Sequence, residues 1–323
     1  MLSNQEPETT SGGARTAVRA EIIAAEHAGR RIDNFLLQLL KPAPKSLVYK
    51  LLRSGQVRVN GGRSKPDYRL NTGDVLRIPP VVATSPGEIH IPASRLAQLA
   101  AAVLFEDEHF LILDKPAGVA SHGGTGVPYG VIEIARRLRP DVAHLDLAHR
   151  LDRDTSGCLV LTKQVDILRG LHTEIRERHI DKRYCALLCG RFPADLNTIN
   201  ATLQTSRERK AEKRARVNAA GKASETVIEK VAAAGSHSLV QMRLITGRMH
   251  QIRAHAQHIG HSVAGDRLYG DGPFNREMAS LGLKRLFLHA VSIGFEVSGR
   301  RIEASAPLPL ELAQLLNRLR PSP

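Results

Sequence analysis

The sequence has no tryptophan, and only 4% of its 323 residues are aromatic. A protein that grips single strands by stacking bases on aromatic platforms carries more than this. Any polyanion bound here is therefore met through phosphate contact and shape. Cysteine is scarce as well: Cys158, Cys185 and Cys189. An odd count without a secretory leader argues against a disulfide framework and for a reducing compartment. Cys185 and Cys189 stand four apart, but no second pair completes a zinc site, which leaves buried apolar thiols. The opening MLSNQEPETTSGGART has early acids and no apolar h-region. The most apolar window, Leu96 to Phe105, is about half a membrane span. No repeat of solenoid length is present. These absences point to a soluble, cytoplasmic protein with no membrane partner, and monomer is the default.

What the chain does have is positive charge. Lys and Arg number 46 against 32 Asp and Glu, a formal net charge of +14. That balance suggests a polyanionic partner. With 42% hydrophobic residues, the chain can bury a real core, and its length suits two domains.

Residues 1–16 read as a disordered tail, and a compact unit follows at 17–80. In RRIDNFLLQLL, Ile32, Phe35, Leu36, Leu39 and Leu40 share one helical face, and Pro42 and Pro44 end the helix. Ser46 is placed to cap a second helix that Gly55 stops. Val57 and Val59 alternate into Asn60-Gly61, a hairpin signal, and Val75 to Ile78 is a further strand. This unit holds twelve Lys and Arg against five Asp and Glu, a net +7. Arg30, Arg31, Lys45, Lys50, Arg53 and Arg58 fall off its apolar faces. They form either a nucleic-acid surface or a solvated basic face. GRRIDNFL, PKSLVYKLLRSGQVRVNG and GDVLRIPP resemble an S4 RNA-binding domain.

Residues 81–100 read as a linker turning into a short helix, and a second domain spans 101–323. His109 to Asp114 is a strand, with a helix near 130–138. Cys158 to Thr162 and Tyr184 to Leu188 are strands, separated by a helix marked by Leu168, Leu171 and Ile175. In 238–246, Val240, Met242 and Leu244 share one face. Thr246-Gly247-Arg248 turns into a helix starting near His250. Arg285 to Val297 and Arg301 to Ala304 are strands, and Leu308 to Leu319 is a helix. Strands outnumber helices and short turns join many of them, so the fold class is α+β with a mixed, mainly antiparallel sheet. The run Arg207 to Arg216 holds six basic and two acidic residues, either a solvated element or a phosphate-gripping finger.

The chain is organised around 149–157, His-Arg-Leu-Asp-Arg-Asp-Thr-Ser-Gly. This polar island opens an apolar strand, and buried charges need partners. A solvated turn is the plain alternative. Asp152 and Asp154 are too close in sequence to flank a sugar as glycosidase carboxylates do. Ser156 lacks a GxSxG frame. His250, His255, His258 and His261 have helical spacing only in part and no acidic or thiol partner, so no metal is expected. A single carboxylate acting on its own fits better. An aspartate buried beside an arginine stays ionised, and Arg253, near the start of a helix whose dipole adds to the effect, is the candidate partner.

His149 to Gly157, together with Lys182-Arg183-Tyr184, Thr246 to Arg253 and Leu286 to Ala290, resembles the RluA superfamily of pseudouridine synthases over about 101–306. With the S4-like unit, HGGTG and GVIE, the chain is most similar to the RluC type, which modifies large-subunit ribosomal RNA. The resemblance implies that Asp152 is the catalytic aspartate and Arg253 its partner. It implies that Tyr184 packs on the target base and is a candidate base for proton removal, for which its phenol would need tuning. Arg150 would fill the gap left by the flipped nucleotide. Tyr184 as core packing and Arg150 as a phosphate contact stay open. Lys182, Arg183 and Arg248 are expected to touch RNA. The implied partner is 23S ribosomal RNA or the assembling large subunit, and no cofactor is needed. Asp152 as nucleophile at C1′ or base at C2′ stays undecided, and a non-catalytic ribosome-assembly protein is the competing reading.

Overall fold

The computed structural model describes residues 18–40, 43, 45–81, 89–124, 127–206 and 214–319. The tail expected at 1–16 and positions 207–213 of the basic run lie outside these residues, as does the side chain of Lys45. The chain forms two compact units that divide between His90 and Ile91.

In the first unit, strand β1 (Arg19–Ile22) is followed by helices α1 (Ile32–Leu39) and α2 (Lys45–Arg53). Strands β2 (Arg58–Val59), β3 (Gly62–Arg63) and β4 (Val75–Ile78) complete it. The sheet order is β1-β4-β2-β3, all antiparallel. Ile32, Phe35 and Leu36 of α1 are buried with Val48, Leu51 and Leu52 of α2 and with Leu76 and Ile78 of β4. The Asn60-Gly61 turn has φ of 49° and 78°, the pair of left-handed residues that a tight two-residue hairpin requires. Asn60 Oδ1 accepts the Val75 N–H, and its Nδ2 donates to the buried Asp74. The turn is thereby tied to β4.

The second unit opens with α3 (Ala93–Ala100), β5 (Val103–Glu106), β6 (Phe110–Lys115) and α4 (Val131–Leu138). Then come β7 (Asp146–Leu147), β8 (Ser156–Thr162), α5 (Val165–Glu177) and β9 (Asp181–Leu188). The arm strands follow: β10 (Thr198–Ser206), β11 (Arg214–Val217), β12 (Lys222–Ala234) and β13 (His237–Leu244). The unit closes with α6 (Gln251–His258), α7 (Gly272–Ser280), β14 (Leu288–Val297), β15 (Arg300–Ser305) and α8 (Leu310–Leu319). The stretch 81–100, read as a linker turning into a short helix, carries α3 at its C-terminal end. Leu99 of α3 is 2% exposed and belongs to the second unit's core, where it packs with α4 residues.

The sheet path is β11-β10-β12-β13-β9-β14-β8-β6-β5, with β15 on β14 and β7 on β8. Only β8 and β14 run parallel among the described pairs. All seven residues of β8 are buried, as expected for a strand covered on both faces. Alternation along β9 divides the cores. Tyr184, Ala186 and Leu188 join the core that includes α3, α4 and α6, and Cys185 and Leu187 join the one under α7 and α8. Among the described residues, no helix is long and apolar enough to cross a membrane.

Candidate active site

The loop between β7 and β8 carries Asp152, and its neighbours are pinned on both sides. Leu151 exchanges two hydrogen bonds with Ser121: its N–H donates to Oγ at 3.0 Å, and Oγ donates to its carbonyl at 2.7 Å. The Arg153 carbonyl accepts the Gly118 N–H at 2.8 Å and the Lys115 ammonium at 3.0 Å. Lys115 is fully buried, and its Nζ also reaches the carbonyls of Val119 and Pro116. Burial and the charge of Arg285 press Lys115 down to about 7. Three carbonyl acceptors can be served together only by the three N–H bonds of an ammonium, so the geometry favours the charged form. His149 Nε2 accepts the Val160 N–H, and burial first, then the charge of Lys182, push that ring down to about 3.

With its backbone fixed on either side, Asp152 keeps its side chain 26% exposed, and Arg253 Nη1 lies 3.4 Å from Oδ2. Arg253, in the first turn of α6, is held from behind. Its Nε and Nη2 donate to the two oxygens of Asp266 at 2.7 and 2.8 Å, and the Asp266 side chain has no exposure. Asp266 also accepts the N–H groups of Leu268 and Tyr269. Burial works against both charges, but their mutual hydrogen bonds and attraction outweigh it. Arg253 is held above its ordinary value and Asp266 below its own. The guanidinium carbon sits 5.0 Å from the centre of the Tyr269 ring, a cation–π contact.

Tyr184 is 7% exposed and turns toward the core shared with Leu151. Burial, and then the charge of Asp152, push its phenol well above the ordinary tyrosine value. Burial thus moves this phenol away from the tuning that proton removal would require. Lys182 lies on the same face of β9 as Tyr184, and burial lowers its ammonium. Arg183 is on the opposite face. There it pairs with Asp181 at 3.1 Å and with Glu229 at 3.1 Å, and Glu229, at a bulge in β12, also takes Arg243 at 3.4 Å. Of the two basic residues expected beside Tyr184, strand alternation therefore brings one to this face and turns the other away. Arg150 is exposed beside Asp152 in the chain, and Arg248 is exposed with Nε donating to the Ala223 carbonyl.

In the first unit, Arg31 forks onto the buried Asp33 at 3.1 and 2.7 Å, and Tyr49 donates to the same carboxylate. Arg30 reaches Gln38, and Arg58 the Gly61 carbonyl. Lys50 and Arg53 are exposed.

The spaced histidines do not converge. His255 bonds Ser224 and Thr226, His261 the Cys189 carbonyl, and His250 Tyr269. Among the described residues, the three metal-ligand side chains that do approach one another are Glu174, Glu177 and His179, at the end of α5.

Sequence reasoning missed Lys115, His250 and Asp266 as parts of the site. Lys115 shows only as a lone charge ending an apolar strand before proline. Asp266 shows only as an acid set against Gly265 after an apolar segment.

Comparison with known proteins identifies the family. The model of the RNA pseudouridylate synthase family matches residues 109–258, and that of the S4 domain residues 30–76. The chain is 46% identical over 276 residues to ribosomal large subunit pseudouridine synthase C of Pasteurella multocida (strain Pm70), with 84% of each chain covered. It is 46% identical over 276 residues to the Escherichia coli (strain K12) protein of that name, covering 84% of this chain and 86% of that one. Two human structures share the fold. RNA Pseudouridylate Synthase Domain Containing 4 aligns with a TM-score of 0.57 at 23% identity, over 70% of this chain and 95% of that one. RNA Pseudouridylate Synthase Domain Containing 1 aligns at 0.52 and 24%, over 72% and 99%. The aspartate-bearing loop, the arginine behind it and the N-terminal S4 domain thus have one common explanation: the chain belongs to the RNA pseudouridine synthases, a family of isomerases.

Proposed function

We propose that this enzyme isomerises uridines of large-subunit ribosomal RNA, with Asp152 as the reacting carboxylate. One observation carries the assignment of the residue: Asp152 is a half-buried carboxylate on a pinned loop, with a fixed guanidinium 3.4 Å away. The reaction breaks the C1′–N1 bond, turns the uracil and joins C1′ to C5. A proton leaves C5 and one arrives at N1, so nothing is oxidised and no group is imported. Asp152 acts at the ribose, by attack on C1′ or by removing the C2′ proton, and both routes need the carboxylate charged and placed in advance. Arg253 places a positive charge 3.4 Å from it.

The target base must leave its stack, which costs a few kcal/mol. Arg150, exposed next to the loop, is the residue assigned to the vacated position. Tyr184 packs against the extruded base as a neutral phenol, and Lys182 and Arg248 meet the RNA backbone. The S4 domain adds affinity through Arg30, Lys45, Lys50, Arg53 and Arg58; Arg31 is already committed to Asp33 and contributes less. The substrate is 23S ribosomal RNA, free or in the assembling subunit. The same reading has the enzyme act as a cytoplasmic monomer.

The test is primer extension after carbodiimide labelling of ribosomal RNA from a deletion strain complemented with wild type or Asp152→Asn. Stops should vanish on deletion and return only with the wild type. Stops that return with Asp152→Asn at wild-type strength would remove Asp152 from the chemistry. Stops unchanged by deletion would remove this RNA as the substrate.

A further inference from the structure

His250 stands between Arg248 and Arg253 with no task in the reading above. Its backbone lies at φ 53° and ψ 26°, in the left-handed region, immediately before α6. A residue with a β-carbon persists there only where its surroundings hold it. Here they do. The side chain is 17% exposed, and its two ring nitrogens meet different groups. Nδ1 lies 3.0 Å from the Tyr269 hydroxyl, and Nε2 lies 3.8 Å from Asp152 Oδ2. Tyr269 is buried, and its oxygen accepts the Ala215 N–H of β11 at 2.7 Å.

Those contacts are met by an arrangement that puts the imidazole proton on the nitrogen facing Asp152. The Tyr269 oxygen already accepts from Ala215, and its own proton has Nδ1 as acceptor. A neutral ring bonded in this way holds its proton on Nε2, facing Asp152. A charged ring does so too. Only the remaining tautomer sets a lone pair against the carboxylate. In that arrangement the Nε2–H faces, across 3.8 Å, the same oxygen that Arg253 Nη1 approaches. Among the described residues, no donor is bonded to Oδ1.

We propose that His250 is a positioning residue of the pseudouridylation site. With Arg253 it holds Oδ2 of Asp152, so that Oδ1 is the oxygen presented to the ribose. Tyr269 keeps the imidazole proton on the nitrogen that faces the carboxylate. The proposal rests on Asp152 being the reacting group, as argued above.

The test uses the full-length protein and a ribosomal RNA transcript, with single-turnover rates measured across RNA concentrations. Asparagine tolerates a left-handed backbone, but its amide ends where Nδ1 does and cannot reach Asp152. His250→Asn should lower the saturating rate by about tenfold to a hundredfold, the scale of a misplaced reacting group, with half-saturation unchanged. His250→Gln places an N–H donor where Nε2 was and should recover most of that loss. Tyr269→Phe should slow the saturating rate in the same way but by less. His250→Asn at wild-type rate, or His250→Gln no faster than His250→Asn, overturns the proposal when Asp152→Asn is inactive. A fully active Asp152→Asn overturns both this proposal and the assignment beneath it.

Discussion

Arg253 makes two hydrogen bonds to Asp266, at 2.7 and 2.8 Å, and one longer contact to Asp152, at 3.4 Å. The carboxylate that fixes the guanidinium is therefore not the one assigned to the chemistry. Asp266 is wholly buried, whereas the Asp152 side chain keeps 26% of its surface. This division leaves Arg253 fixed by Asp266 and leaves Asp152 partly exposed. Preorganised charge of this kind needs no rearrangement at the moment of reaction.

Removing the hidden partner should therefore damage both stability and rate. Asp266→Ala leaves a buried guanidinium without its main anion, and breaking a buried pair from one side costs about 3–5 kcal/mol. Urea unfolding should show that loss. Asp266→Asn keeps the shape and loses the charge, so it should fold better than the alanine variant yet turn over at least about tenfold more slowly than wild type. An Asp266→Ala protein with wild-type stability would show that Arg253 is anchored elsewhere.

The parts of this arrangement visible in sequence are those set by local pattern. The Asn60-Gly61 hairpin follows from turn chemistry, and its φ values are both positive. The alternation of Val240, Met242 and Leu244 is seen in β13, where all three are buried. The polar loop at Asp152 stands out because it interrupts apolar strands. Side chains whose role depends on distant partners could not be read in the same way. Arg183 looks like a neighbour of Tyr184 until the pleat turns it toward Glu229. The partners of Lys115 are carbonyls, which no composition or spacing reveals. Residues 93–100 look like the end of a linker because their apolar face, including Leu99, is explained only by the core it enters.

Lys115→Met should show how far the Asp152 loop depends on that buried ammonium. Methionine fills the volume, but the carbonyls of Pro116, Val119 and Arg153 lose their shared donor. Leaving buried acceptors unsatisfied costs about 1–3 kcal/mol, so chemical denaturation should show a loss on that scale. Because one of these carbonyls adjoins Asp152, the saturating rate should fall as well. Arginine should not rescue the loss, since a wholly buried site shaped for an ammonium has no room for a guanidinium.

Gly157 occupies a position that only glycine can fill. It has φ of 107°, and a β-carbon there would collide with the backbone of Ala290, where β8 and β14 run parallel. Gly61 is a useful control, with φ of 78° and open space around it. Gly61→Ala should cost about 1 kcal/mol from the left-handed backbone alone. Gly157→Ala should cost several-fold more or fail to yield folded protein, because the strand pair must also separate. Soluble yield and thermal unfolding of the two variants side by side provide the comparison, and equal losses would mean that the strands can part without penalty.

His255 should make the fold sensitive to mild acid. It is fully buried, bonded through Nε2 to Ser224 and through Nδ1 to Thr226. The Ser224 hydroxyl donates to the Ala201 carbonyl, so its oxygen accepts the Nε2 proton. Thr226 accepts from Gln251, so its own proton goes to Nδ1. The neutral ring is thus fully satisfied, and a second ring proton would face the threonine's. Burial, the larger cause, pushes the ring down to about 4, below its ordinary value of 6.5. Between those two values the unfolded chain binds the proton and the folded chain does not. Stability contributed by the neutral ring is therefore complete above about 6.5 and is lost as pH falls toward 4, at about 1.4 kcal/mol per pH unit. Burial lowers His289 to about 4 in the same way, so it adds a parallel loss. Urea unfolding of wild type between pH 7.5 and 5 should show this decline, and His255→Gln should be less stable at pH 7.5 but lose about one proton from the slope. An unchanged slope in that variant would mean that His255 already takes up its proton in the folded state.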